Sequence, residues 1–184
     1  VLERAAGDRQ VVVFTHDDRL PEAVRRLGID ARVLEVTREP RSVVRLRPAL
    51  DPVRRHLDDA MMLASTEDLP PEVAGQVVPA FCRLAIESAC TDVARRRLLG
   101  RGVRHDEVER RLLASRTLSR RAALALFEDA ERAGDVLRYL HNHFGAWAAD
   151  TFKATNKGAH AGIDGDLRGL INQTHRLTNG LRGL

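Results

Sequence analysis

The chain has 184 residues, 43% of them hydrophobic, with 30 Lys and Arg against 26 Asp and Glu and a formal net charge of +4. That length and apolar content suit one medium domain, or a small lobe plus a helical domain, and exclude a disordered chain. The basic residues are almost all arginine, Lys153 and Lys157 being the only lysines, which permits a polyanionic partner without requiring one, since a GC-rich genome also enriches arginine.

Strand character is confined to the first fifty residues. Leu2–Ala6 reads as the end of a helix, and Val11–Thr15 as a continuous apolar strand of the kind covered on both faces in a parallel sheet. A short amphipathic helix over Leu20–Leu27, stopped by Gly28, leads to two further strands, Arg32–Thr37 and Ser42–Arg47, around a turn at Glu39-Pro40. From Asp51 the pattern is helical throughout. Asp51 caps and Pro52 opens a helix to Ser65; Leu69-Pro70-Pro71 turns into a long helix, Glu72–Leu99, ended by Gly100-Arg101-Gly102. Apolar stripes then predict helices over His105–Ala114, Leu118–Ala133, Asp135–Ala149 and Asp166–Leu181. The expectation is a mainly α protein, with a short α/β segment over 1–50 and a helical bundle over 51–184. Cys82 and Cys90 fall on a helical pattern without a second ligand pair and read as core residues. No apolar run approaches the roughly 18 residues of a membrane span and no signal peptide opens the chain, so a cytoplasmic protein without membrane contact is expected.

Three constellations carry candidate chemistry. The first is the string QVVVFTHDDRL, Gln10–Leu20, in which a strand ends in Thr15-His16-Asp17. With the helix and two strands that follow, it resembles the switch-histidine region near the C-terminal end of ABC-type ATPase domains in their SMC-like and RecF-like branch. The resemblance implies that His16 contacts a γ-phosphate, with Asp17 beside it, where the carboxyl end of a buried strand opens on a ligand crevice. A second reading makes His16 a cap of the next helix. No GxxxxGK[ST] loop, LSGGQ signature or Walker B strand occurs. ATP and Mg are therefore expected only for a longer chain that supplies the N-terminal ATPase portion, and none for the isolated chain.

The second is FKATNKGAHAG, Phe152–Gly162, where Asn156 and His160 share a helical face. The string resembles the Rx4–6H motif of HEPN domains, helical bundles of prokaryotic defence systems, with Thr155 standing where the arginine belongs. The resemblance implies a homodimer joined at the motif face and metal-independent cleavage of RNA, with His160 in acid–base chemistry. The departure at Thr155 bears on catalysis more than on fold, and Lys157, on another helical face, lacks the bidentate fork of an arginine. Alternatively, Asn156 and His160 stitch two helices together around the close approach that Gly158 allows. Third, in FCRLAIESAC, Arg83 and Glu87 form an i,i+4 pair, which if exposed is worth only about 0.3–0.5 kcal/mol. An Arg-x-x-x-Glu helix ahead of an Asn-x-x-x-His helix also resembles HEPN-like domains behind ATPase domains.

The remaining histidines read as structural. His141 and His143 project about 200° apart on one helix and cannot chelate one ion, and are expected to be partly buried; His56, His105 and His175 are expected to be solvated. Together these readings predict the C-terminal effector or regulatory segment of an SMC/RecF-like ATPase acting on DNA or RNA, in an anti-phage setting. Two alternatives stand beside it: a HEPN-type ribonuclease using His160, and a non-catalytic helical interaction module.

Overall fold

The computed structural model describes the backbone apart from residues 1–3, 5, 8, 17, 18, 28, 39, 50 and 164, and the side chains of the same residues apart from 19, 22, 25, 26, 41, 47 and 160. The chain divides into two units, residues 1–50 and 51–184, and is mainly helical, with one two-stranded sheet among the described residues.

In the first unit, helix α1 (Arg19–Arg26) precedes strands β1 (Leu34–Arg38) and β2 (Val44–Pro48), which pair antiparallel with Val36 opposite Leu46. A single 3-10 turn, Pro40–Ser42, joins them, with Ser42 in the left-handed region at φ 62° and its hydroxyl accepting from Arg38. Val11–Thr15 corrects the expectation: it forms no strand, and Val12, Val13 and Phe14 are exposed. An apolar run becomes a strand only where a neighbouring backbone takes up its N–H and C=O groups, and among the described residues β1 and β2 pair only with each other. Among the described residues the unit is therefore an α/β segment without a parallel sheet. The proposed end of a helix at Leu2–Ala6 lies mostly outside the described residues.

The second unit starts as its local chemistry dictates. Asp51 accepts the Val53 N–H at 3.2 Å and Pro52 occupies the first turn of α2 (Pro52–Ala64), where its missing N–H costs nothing. Helix α3 (Pro71–Gly100) runs through the middle of the unit, with twelve buried residues from Ala74 to Leu98. Against it pack α2, α4 (His105–Ala114), α5 (Leu118–Phe127), α7 (Ala146–Ala161) and α8 (Leu167–Arg182), while α6 (Val136–Phe144) packs on α7. One core cluster joins Ile86, Cys90 and Val93 of α3 to Leu124, Leu140, Phe152 and Leu177; a second joins Val78, Cys82 and Ala85 to Val53, Leu57 and Ile171. By length and composition α3 is apolar enough to cross a membrane, contrary to the sequence expectation, but half of its most apolar window is buried inside the protein. That is how the central helix of a bundle looks.

Two predicted helices end early. The first stops at Phe127 because Glu128 takes a left-handed φ of 61° and its N–H bonds Leu124 O, while Asp129 caps a following 3-10 turn, Ala130–Asp135. Arg97 reaches across from α3 and donates to the terminal carbonyls of Ala125 and Leu126 at 3.1 and 3.0 Å, satisfying acceptors that the helix end leaves open. The helix predicted over Asp135–Ala149 breaks at Gly145, whose φ of 104° only glycine adopts without strain. Trp147 therefore belongs to α7, not to the stripe of Val136, Leu140 and Phe144.

Candidate functional site

The contact between α3 and α7 begins from a defect. Pro79 lies inside α3 and has no N–H, so the carbonyl of Gly75, four residues earlier, loses its helical donor. The chain leaving α7 repairs this: Ile163 N–H donates to Gly75 O at 3.0 Å. Such an approach requires glycine, because a Cβ on Gly75 would stand 2.4 Å from Ile163 O. One turn along, a Cβ on Gly158 would fall 2.7 Å from Pro79 Cβ. The close approach expected at Gly158 is present, and it locks the Asn156–His160 end of α7 onto α3.

Arg83 follows Pro79 by one helical turn on the same row, and its Nε donates to Glu87 Oε1 at 3.0 Å. The two side chains are only 19% and 18% exposed, so the pair is half-buried within the bundle rather than a solvated surface pair. A third member escaped the sequence reading: Arg121 of α5 places Nη1 3.9 Å from Glu87 Oε2. The only trace of it in the sequence is the Arg120-Arg121 doublet inside an apolar helix.

The HEPN-like motif resolves unevenly. Asn156 is half-buried and Lys157 exposed on α7; His160 lies on the same helix, and its side chain is outside the described residues. Thr155 is fully buried, and its hydroxyl donates to Phe152 O at 3.0 Å. The position that the resemblance would fill with an arginine thus faces the core. In the first unit His16 is exposed and follows an irregular segment instead of a buried strand, and Asp17 lies outside the described residues. The structure therefore does not place His16 at the carboxyl end of a sheet.

His56 departs from the expected solvated state. It is half-buried, its ring 6.3 Å from that of Phe81, and its Nδ1 is buried without a hydrogen-bond partner. Burial lowers its pKa, opposed by Asp59 and Glu87 and assisted by Arg55. His141 and His143, in contrast, are exposed on α6 rather than partly buried. His143 stacks on Tyr139 at 5.3 Å and 13°. The cysteines are core residues without a disulfide, and burial pushes the Cys82 thiol up to about 11 and the Cys90 thiol up to about 12. Among the described residues no three His, Cys, Asp or Glu side chains come together as metal ligands.

Several arginines act as struts. Arg182 at the end of α8 pairs with Asp51 and Asp92, tying three helices together, and the two carboxylates raise its pKa. Arg95 bonds both oxygens of Glu109. An arginine-rich composition is in part a structural one, since a fixed fork satisfies two acceptors at once.

No protein-family model, curated protein or solved structure matches the chain.

Proposed function

We propose that residues 51–184 form a HEPN-like regulatory bundle serving a cytoplasmic SMC/RecF-like ATPase that acts on nucleic acid in an anti-phage setting, and that the bundle itself does not cleave RNA. The observation that carries this reading is the half-buried Arg83–Glu87 pair, on the helix to which Gly158 and Pro79 lock the Asn156–His160 segment. An Arg-x-x-x-Glu helix set against an Asn-x-x-x-His helix is the arrangement that the resemblance implies. A charged pair held at this depth contributes little net stability over an apolar one, which leaves room for a role in specifying how the motif face is presented. The burial of Thr155 speaks against catalysis, because the position that would stabilise phosphoryl charge points inward.

The ATPase part rests on the Gln10–Leu20 string, with ATP and Mg bound by a portion outside this chain. Two copies of the bundle would pair through the motif face. Incubating the chain with structured and unstructured RNA in EDTA tests the non-catalytic reading: intact RNA with both wild type and His160→Ala is expected. Cleavage lost in His160→Ala would replace it with the ribonuclease reading. Sequencing the coding region upstream of Val1 tests the rest, a GxxxxGK[ST] loop being the expected result and an unrelated domain the overturning one.

A further inference from the structure

Beside the α5–α6 junction lies a shallow cleft of about 260 Å³, lined by Phe127, Arg132, Asp135, Arg138, Tyr139 and His143 with Asn142 at its side. It is smaller than the clefts that hold whole cofactors, which start at about 300 Å³, and suits one planar group. Its walls are rings and guanidinium groups. The Arg132 guanidinium carbon lies 4.1 Å from the centroid of Phe127, Phe127 meets Tyr139 edge to face at 5.4 Å, and Tyr139 stacks on His143. Arg132 Nε donates to Asp135 Oδ2 at 3.0 Å, which holds the guanidinium over the ring while half of that side chain remains accessible. Arg138 bonds the other oxygen of Asp135, and 72% of its side chain is accessible. Two arginines against one carboxylate leave a local positive charge beside a preformed aromatic surface.

We infer that this cleft docks a nucleotide of a single-stranded nucleic acid, its base stacked on the outer face of Arg132 and its phosphate held by Arg138. A guanidinium already held over an aromatic ring by an ion pair loses little freedom when a base adds to the stack, and stacking tolerates any base because every base has a π-face. A second guanidinium–ring pair, Arg176 over Trp147 at 4.2 Å, lies between α8 and α7; the remaining accessible cations add the diffuse attraction of a net charge of +4, which does not distinguish a planar cation from a spherical one. The inference extends the nucleic-acid reading above but depends on other residues: its failure would leave the Arg83–Glu87 arrangement as it stands, and cleavage of RNA by His160 would leave the cleft as it stands.

Arg132→Lys provides the test, because it keeps the charge and removes the plane. Fluorescence anisotropy of the whole chain with a labelled single-stranded RNA near 150 mM salt is expected to show binding about tenfold weaker in Arg132→Lys, at the low end of losing one stacked base. Arg138→Gln is expected to lower the slope of log K against log salt by about 0.7, the value for one single-strand phosphate. Both side chains are exposed, and an unchanged unfolding midpoint confirms that each variant folds. Competition by AMP only at large excess identifies a strand as the ligand, whereas competition at equal concentration identifies a free nucleotide and retains the same chemistry. Wild-type affinity in both variants, or a duplex bound as tightly as the single strand, overturns the inference.

Discussion

The β1–β2 hairpin and helix α3 both space apolar residues at the period of their own secondary structure, yet only one of them buries the result. On the hairpin, Val36 faces Leu46 across the ladder, and the two are 56% and 64% exposed, while Glu35 and Thr37 on the opposite face are half-buried. On α3, Ile86, Cys90 and Val93 are at most 1% exposed. Periodicity determines which side chains share a face; burial further requires a second layer, and a two-stranded sheet offers none. In the bundle five helices surround α3, so each apolar position meets a neighbour from a different part of the chain.

The sharpest way to break this contrast is to load the core. Thr155→Arg, which the HEPN resemblance would cast as a restoration, is expected to destabilise the bundle by about 3–5 kcal/mol, because it buries an unpaired guanidinium where Thr155 is 0% exposed. Urea unfolding followed by circular dichroism gives the value. A folded, unperturbed variant would show that α7 rotates to expose this position. Next in size, Ile86→Ala is expected to cost about 2–5 kcal/mol from lost transfer energy and a residual cavity. Val36→Ala on the hairpin is expected to stay within about 0.5 kcal/mol, as exposed substitutions do. Equal costs would mean that the hairpin face is covered by something in solution.

Much of the bundle is legible from neighbours in sequence. Asp51-Pro52 and Asp166 announce helix starts by side chains that bond their own first turns, and His105–Ala114 is bounded as the apolar stripe suggests. The break at Gly145 is hidden because Val136, Leu140, Phe144 and Trp147 keep helical spacing straight through it. The stop at Glu128 is hidden too, since its carbonyl acceptors are satisfied by Arg97, about thirty residues away in the chain. At the candidate site, the Arg83–Glu87 bond follows from i,i+4 spacing, but its burial and its third partner Arg121 come from packing. Val11–Thr15 fails for the complementary reason: a strand is a property of a pair, and its sequence names no partner.

A third and smaller effect bears on how the bundle closes around Pro79. Gly75→Ala would normally favour a helix by about 1 kcal/mol. Here its Cβ would stand 2.4 Å from Ile163 O, so the exit of α7 must shift and the repairing hydrogen bond to Gly75 O must weaken. A net loss of about 1–3 kcal/mol is expected, the usual cost of overpacking. Pro79→Ala in the same background sharpens the point: it restores a helical N–H for Gly75 O, so the double variant is expected to recover part of the loss. If Gly75→Ala stabilises the protein, the Ile163 contact does not hold in solution.

The smallest expected effect is the pH dependence added by His56. Burial holds its native pKa below the usual 6.5, with Arg55 acting in the same direction and Asp59 and Glu87 against it. Between that depressed value and 6.5 the unfolded chain binds more protons at this residue than the native one. Stability therefore rises with pH across the window. The contribution is fully present above about pH 6.5 and is lost as pH falls through 6.5 toward the native pKa. His56→Gln removes the titration while keeping a polar side chain of similar length, and leaves the six other histidines in place. Urea midpoints at pH 7.5, 6.5 and 5.5 are expected to fall less steeply in His56→Gln than in wild type. Parallel slopes would show that the buried, unpartnered Nδ1 finds a donor or acceptor in solution, and that the α2–α3 contact is wetter around Phe81 than the 6.3 Å ring separation implies.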